Sequence, residues 1–543
     1  MGIGAVVFRA ELQKVVVAVA SILNKEAKRK NLSHKDLTFG VYYMLWLKHA
    51  SDVSDPEAVQ REHGSCETGV EEVKTSKETL HELSFYLPLA WSQYRTEKPE
   101  QQWLLQKYPA EGKDSFKLLF SSPSARKICD TFRNEDLKVP VVKPAFSVIT
   151  NAKRNVVVVA IRGTKSMEGF IVDFNHEAGT MLEPQDGDTK GEKLMCHSGM
   201  YEAARYLSDD LGLRCTLERL HASGYDVVIC GHSLGAGVAT LLAMHLMRVQ
   251  AKVGKIKVYG YAAPPCVTPN LNTMWKDRLT ILNVVMEGDL IPLFSYRNCA
   301  DFAGEIAKRR SEWEPMMRAD LEGISNRAWK LWAPVSRTVS AEKLSKDNDE
   351  EKVVLADEKD EAKDLPKIPA VLRRLSSGNS SIPHFVIPGR IVHVYRHRGI
   401  FRAATVNHEW IGLRRIETNS NTIEHHSLSS IMSSIREVCE VRKSAVQPPQ
   451  WKAANLSSSP DSPTGTSSKI LCAVCGYDVS WHHTGGSATS TARATHHCRS
   501  CGEIVCGMCS KNKFPLPEIG LSRCVRVCDS CVFRRCSSSS TMG

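Results

Sequence analysis

Short apolar runs alternate with longer stretches of helical period through the middle of the chain. Asn155–Ile161 (NVVVVAI) is β-branched and lacks any polar interruption after its first residue, as in a strand buried on both faces. Gly199–Ser223 has helical periodicity, Asp226–Cys230 (DVVIC) reads as a second strand, and Leu234–Lys252 is helical again. Lys257–Ala262 and Leu279–Met286 are further apolar strands. Strands separated by helix-length segments predict an α/β fold, a mostly parallel sheet with helices on both faces. Between Asp226 and Arg248 lie 21 residues without formal charge, long enough to cross a bilayer. Gly231, Gly235 and Gly237 beside His232 and Ser233 favour instead a buried strand, a tight turn and a buried helix.

The flanks follow other patterns. Residues 1–125 read as a helical cap, with an amphipathic stretch at Val15–Leu23 and an apolar one at Asp36–His49. Residues 126–444 form the α/β domain, broken at 297–380 by a lid-like or regulatory insertion. Within it Lys346–Leu365 carries mixed charge with an acidic excess, and Arg373-Arg374 precedes Ser376-Ser377. Order returns at Pro383–Val394 and in a helix near 427–442. Residues 445–468 have linker composition, 469–536 form a cysteine-rich module, and 537–543 a disordered tail.

At 543 residues the chain exceeds one compact core. Its 71 Lys and Arg against 60 Asp and Glu permit contact with an anionic surface, and no nucleic-acid partner is expected. Of 18 cysteines, ten follow residue 470, which favours a metal module over secreted disulfides. Arg9, Glu11 and Lys14 interrupt the apolar start, so no secretory signal is expected, nor a transmembrane helix. The chain is read as cytoplasmic.

Gly231-His232-Ser233-Leu234-Gly235 fits G-x-S-x-G between a strand and a helix. That context is required of a nucleophile elbow, where a strained turn lifts the serine hydroxyl above the sheet. A serine needs a base to take its proton and a carboxylate to hold that base, in the chain order Ser, acid, His. Asp289, in NVVMEGDLIPL, is the candidate acid, with Glu287 as fallback. Candidate bases are His384, His393, His397, His408, His425 and His426, and the pair His425-His426 stands just before a helix. Leu234, directly after the nucleophile, would give one oxyanion N–H, and Thr164, after the strand NVVVVAI, the second.

VVVVAIRGT, CHSGMY (Cys196–Tyr201), VVICGHSLGAGVATLLA and VVMEGDLIPL together resemble the lipase class 3 family, most closely its sn-1-specific diacylglycerol lipase branch. Pro388–His393 (PGRIVH) is similar to a strand of that branch, and the likeness covers roughly residues 120–440. It implies an α/β-hydrolase acting on acylglycerol esters, diacylglycerol foremost, with Ser233, Asp289 and His426 as triad and Thr164 and Leu234 as oxyanion hole. No cofactor is expected for catalysis. Where the family usually has Asp-His, this chain has His425-His426, so His425 is the rival base.

Cys472-x2-Cys475, Cys498-x2-Cys501, Cys506-x2-Cys509 and Cys528-x2-Cys531 suit two closed four-cysteine sites for structural Zn2+. THHCRSCGEIVCGMC and RCVRVCDSC resemble a FYVE zinc finger. The resemblance implies that the first and third pairs share one zinc, the second and fourth the other. It also implies phosphatidylinositol 3-phosphate as ligand, through His496, His497, Arg499 and Arg526, on endosomal or other intracellular membranes. Ala494 and Thr495 replace two basic residues usual there. The sequence thus predicts a serine lipase held peripherally on a membrane by its finger. A phospholipase or general esterase, and a catalytically dead zinc-finger adaptor, are the alternatives.

Overall fold

The computed structural model describes residues 73–94, 116–121, 144–164, 194–269, 277–315, 384–397, 400–414, 422–443, 469–477 and 495–539, with shorter pieces between. Val15–Leu23, Lys346–Leu365, Arg373–Ser377, most of 445–468 and Ala494 lie outside the described residues. Of Asp36–His49, the described positions between 36 and 44 are helical.

Nine strands form the main sheet. They are β1 (Val73–Lys74), β2 (Phe116–Ser121), β3 (Phe146–Asn151), β4 (Val156–Ile161), β5 (Asp226–His232), β6 (Ile256–Tyr261), β7 (Leu279–Met286), β8 (Arg390–His397) and β9 (Ile400–Val406). Their order is β1-β9-β8-β7-β6-β5-β4-β3-β2. The five central strands, β4 to β8, pair in parallel, whereas the flanking pairings are antiparallel. Every residue of β4 is buried, as its unbroken β-branched run requires. Phe116–Ser121 joins the edge of this sheet instead of a helix. A register shift between Leu118 and Phe120 goes with exposed side chains at Leu119 and Phe120, which thin its apolar pattern.

Helices cover both faces. Val158, Ala160, Val228 and Cys230 pack with α1 (Lys77–Ser92) and with Ile431, Ile435 and Val438 of the helix Leu428–Lys443. On the other face lie α2 (Ser198–Arg205) and α4 (Leu234–Arg248), which pack on each other, α4 also against β5 and β6. Alternate β4 residues therefore serve different layers. The helical period of 199–223 is divided: a π-turn at Tyr206–Asp210 and left-handed Gly212 (φ 67°) separate α2 from α3 (Leu213–Ala222). After β7 come α5 (Tyr296–Lys308), the short α6 (Thr422–His425) and α7 (Leu428–Lys443). Residues 310–382 fall in a second unit, in whose described residues Glu314 pairs with Arg310 one turn before it and with Arg318 one turn after it.

The cysteine module is built on two hairpins, β10 (Thr495–His497) with β11 (Ile504–Cys506) and β12 (Lys513–Leu516) with β13 (Leu521–Arg526). Helix α8 (Asp529–Ser539) ends it. Its apolar core reaches beyond itself: Ile400 of β9 and Val441 of α7 are buried in one cluster with Val505, Leu516, Leu521 and Val527. At the seam Ser522 Oγ donates to Glu440 Oε2 (2.6 Å). Gly520 has φ 78°, and a Cβ there would stand 3.0 Å from Val441 Cα. Gly520→Ala is therefore expected to destabilise the protein by about 1–3 kcal/mol, through both backbone strain and the crowded seam. Thermal unfolding of the purified chain checks this; an unchanged midpoint would mean that the seam is loose in solution.

Candidate functional site

The parallel strands end on one edge of the sheet, and the candidate residues gather there. Ser233, between β5 and α4, has φ 56° and ψ −130°, a conformation that a residue with a side chain rarely adopts. Its N–H donates to Tyr261 O (2.9 Å), holding the elbow to the end of β6. The turn closes only because its neighbours lack side chains. A Cβ on Gly231 would lie 2.2 Å from Gly235 O, and one on Gly235 2.5 Å from Ile161 O. Gly163 is as constrained, with a Cβ there falling 3.0 Å from Ser233 Cβ. The strand end that carries half-buried Thr164 thus lies directly against the serine. Leu234 is the first residue of α4, where helix geometry leaves the N–H without an intrahelical acceptor.

Asp289 is buried at the end of β7 and its Oδ1 accepts from Ile291 N (3.1 Å). His426, between α6 and α7, donates from Nδ1 to the same carboxylate, 3.0 Å from Oδ1 and 3.1 Å from Oδ2. A carboxylate at Nδ1 fixes the tautomer that leaves Nε2 able to take a proton. Ser427 then caps α7 by accepting from Ser430 N (3.2 Å), which sets where His426 leaves the chain.

The rivals are engaged elsewhere. His425 is buried and donates from Nδ1 to Glu287 O (2.5 Å); burial holds its pKa below the usual value. Glu287 Oε2 accepts from Arg396 N (2.8 Å), on β8. His393 is buried against Tyr395 and Trp410. His384 is partly buried near Arg297, and loss of hydration lowers its pKa.

Two residues at this edge carry no signal of their own in the sequence. His232 occupies the unspecified position of G-x-S-x-G, and Tyr94 closes a helix with no motif. His232 Nε2 lies 2.8 Å from His426 O, and its Nδ1 2.7 Å from Tyr94 Oη. Tyr94 Oη in turn accepts from Gly163 N (3.1 Å). Burial comes first, and the neighbouring His426 second, in holding the His232 pKa down to about 3 from 6.5.

In the cysteine module the first pair meets the third and the second meets the fourth. Cys472, Cys475, Cys506 and Cys509 gather their sulfurs within 4.8 Å of one another, as do Cys498, Cys501, Cys528 and Cys531. A tetrahedral four-thiolate zinc site has S···S edges of about 3.8 Å, given Zn–S bonds near 2.3 Å. Cys475–Cys506 and Cys501–Cys528 are each 3.9 Å apart, so both groups fit such an ion. Cys506 N and Cys528 N donate to Cys472 Sγ and Cys498 Sγ, both at 3.2 Å, as suits thiolate acceptors. Arg499 N donates to Arg526 O (2.9 Å) and Arg499 Nη1 to His497 O (2.9 Å), which brings three of the four candidate headgroup residues together. His496 is the neighbour of His497 on β10.

The depressed His232 pKa has a consequence for stability. Unfolded chains protonate this group near pH 6.5 while the folded chain resists until about pH 3, so acidification through that window favours unfolding. The slope from this one group is up to roughly 1.4 kcal/mol per pH unit. Denaturant titrations between pH 7 and 4 are expected to show a shallower loss of stability for His232→Gln than for wild type. Equal slopes would show that His232 is protonated in the folded protein.

Comparison with known proteins matches two segments. The family model described as lipase (class 3) matches residues 158–299, and that of the FYVE zinc finger residues 465–537. Diacylglycerol lipase-beta of Mus musculus is 30% identical over 169 residues, which is 30% of this chain and 24% of that protein. The lateral signaling target protein 2 homolog of Brugia malayi is 59% identical over 39 residues, 7% of this chain and 6% of that one. The chain thus spans less than a quarter of either relative. Among solved structures, a lipase from Rhizopus microsporus var. chinensis is 18% identical, covering 41% of this chain and 71% of its own, with a TM-score of 0.30. The Rhizomucor miehei triacylglyceride lipase is 17% identical, covering 41% and 77%, with a TM-score of 0.31. Two segments of the chain thus match family models, one described as lipase (class 3), over residues 158–299 within the nine-stranded, mostly parallel sheet, and one as a FYVE zinc finger, over residues 465–537.

Proposed function

We propose that the protein is a serine lipase that hydrolyses acylglycerol esters, diacylglycerol foremost, at a membrane surface where its finger holds it. The observation that carries the reading is the bond from His426 Nδ1 to both oxygens of buried Asp289, beside the Ser233 elbow. Ser233 Oγ attacks the ester carbonyl as His426 Nε2 takes its proton, and Asp289 stabilises the imidazolium that results. The N–H groups of Thr164 and Leu234 hold the negative charge that grows on the carbonyl oxygen. His426 then protonates the leaving alcohol. Water, deprotonated by the same histidine, attacks the acyl-enzyme and releases the fatty acid. Diacylglycerol is the first substrate to test because it stands in the name of the murine relative.

In this reading the eight cysteines hold two structural Zn2+, which cross-link a module too small to fold on its own core. His496, His497, Arg499 and Arg526 take phosphatidylinositol 3-phosphate, so that attachment is peripheral and endosomal. No helix among the described residues is long and apolar enough to cross a membrane. A headgroup anchor on the finger would keep the active site at high effective concentration on the same surface.

The test is release of fatty acid from dispersed diacylglycerol, triacylglycerol and phosphatidylcholine. Ser233→Ala and His426→Ala are expected to lose at least about 10³-fold in kcat. His425→Ala should stay within tenfold, while melting earlier because a buried donor is lost. Reversed effects at the two histidines would move the base to His425. A folded wild type inactive on every ester would overturn the lipase reading in favour of an adaptor, and preference for phosphatidylcholine would make it a phospholipase. Chelation is expected to release two zinc ions per chain and abolish retention on vesicles containing phosphatidylinositol 3-phosphate. Retention that survives full loss of metal would refute the finger as anchor.

A further inference from the structure

We infer that Tyr94 is a positioning residue for the proposed reaction, its hydroxyl tying the oxyanion segment, the nucleophile elbow and the base loop together through His232. This rests on the lipase reading and deepens it. The direction of each hydrogen bond follows from the partners. His426 O is a carbonyl and only accepts, so His232 Nε2 carries a proton and donates to it over 2.8 Å. His232 is buried and neutral, so its Nδ1 is the bare nitrogen and must accept. The donor is Tyr94 O–H at 2.7 Å. Gly163 N–H then donates to the remaining lone pair of Tyr94 Oη at 3.1 Å. The bonds run one way, from Gly163 through Tyr94 and His232 to the backbone of His426.

Each link touches a different part of the site. Gly163 precedes Thr164, His232 precedes Ser233, and the last acceptor is the carbonyl of His426 itself. These segments come from distant points in the chain, and no secondary-structure hydrogen bond joins the His426 loop to the elbow among the described residues. Tyr94 is itself well anchored. Its N–H donates to Trp91 O (3.1 Å) at the end of α1, and the adjoining Gln93 Oε1 accepts from Ser147 Oγ (3.0 Å) on β3. The Tyr94 ring meets His232 edge-on at 5.5 Å, and a Cβ on Gly163 would fall 2.9 Å from the hydroxyl, so the space around it is filled. The hydroxyl touches no group that reacts. It acts by setting how far Thr164 N–H and the His426 ring stand from Ser233 Oγ.

Tyr94→Phe removes the hydroxyl and keeps the ring. With diacylglycerol, kcat is expected to fall about tenfold with KM unchanged within twofold, because substrate contacts are untouched. Labelling of Ser233 by a fluorophosphonate should slow by the same factor, since it uses the base and the oxyanion hole but no acyl chain. His232→Gln can still accept at one end and donate at the other, so it should retain more activity than His232→Leu. The double variant Tyr94→Phe/His232→Leu should be no slower than His232→Leu, because a chain broken once is already open. A merely structural Tyr94 would lower the melting temperature and leave kcat and labelling rate, measured well below it, within twofold of wild type; that result overturns the inference. An active wild type with an unchanged Tyr94→Phe rejects the positioning role alone. A wild type that neither turns over esters nor takes the label rejects both this role and the lipase reading.

Discussion

The backbone at Ser233 is the constraint from which the site is built. A residue with φ 56° and ψ −130° costs on the order of 1–3 kcal/mol relative to ordinary backbone, and it persists only where the surroundings over-determine it. Here they do. β5 is paired in parallel on both sides, with β4 and with β6, so the strand cannot rotate to relieve the turn. α4 is buried along its length up to Met247, so the helix cannot withdraw either. Gly163, Gly231 and Gly235 let three backbones approach to distances that a single methyl group would forbid. The serine is pushed out at the sheet edge because strand and helix are both fixed.

Once that position is fixed, the rest of the site follows from strand order. β5, β6 and β7 are neighbours in parallel, so the segment after β7 comes out on the same edge as the elbow, and Asp289 is buried there. His426 arrives from farther along the chain and needs its own supports. Asn283 Nδ2 donates to Pro388 O (2.8 Å) where the chain rejoins the sheet before β8. β8 and β9 then turn back, and α7 is fixed at its far end by Arg442, whose guanidinium donates to Thr75 O (2.7 Å) and Ala403 O (3.2 Å). Ser427 caps the near end, so His426 is placed by a helix held at both termini.

Much of this was legible in the sequence because burial on both faces leaves a plain signature. NVVVVAI, DVVIC and the two strands after them are apolar without interruption, and the structure has β4 to β7 there within two residues. The elbow was legible because its geometry demands glycine at fixed offsets. The chain between Gly199 and Ser223 was not read fully, since a π-turn keeps a near-helical period while breaking the axis. Phe116–Ser121 was missed as a strand because an edge position with a register shift does not keep strict alternation. Tyr94 and His232 were invisible for a different reason. Their role is defined by three contacts across 69, 138 and 194 residues of sequence, and none of these leaves a local pattern. His426 was chosen over His425 on the family resemblance alone, and its ring is the one that reaches the Asp289 carboxylate.

The finger stands in a closer relation to the sheet segment than a tether alone requires. A tether works by effective concentration alone and asks for no apolar contact between the modules. Here Ile400 and Val441 are buried among finger residues, and Gly520 is packed so closely on the α7 backbone that a Cβ there would stand 3.0 Å from Val441 Cα. A small metal module has little core of its own, so apolar side chains borrowed from a neighbour are a large fraction of what it buries. The borrowed residue Val441 lies on the helix whose other end begins after His426, and Arg442 beside it holds that helix to β1 and β9. Order in the finger and order at the end of α7 are therefore maintained by the same contacts. Val441 thus belongs at once to the finger's core and to the helix that follows His426.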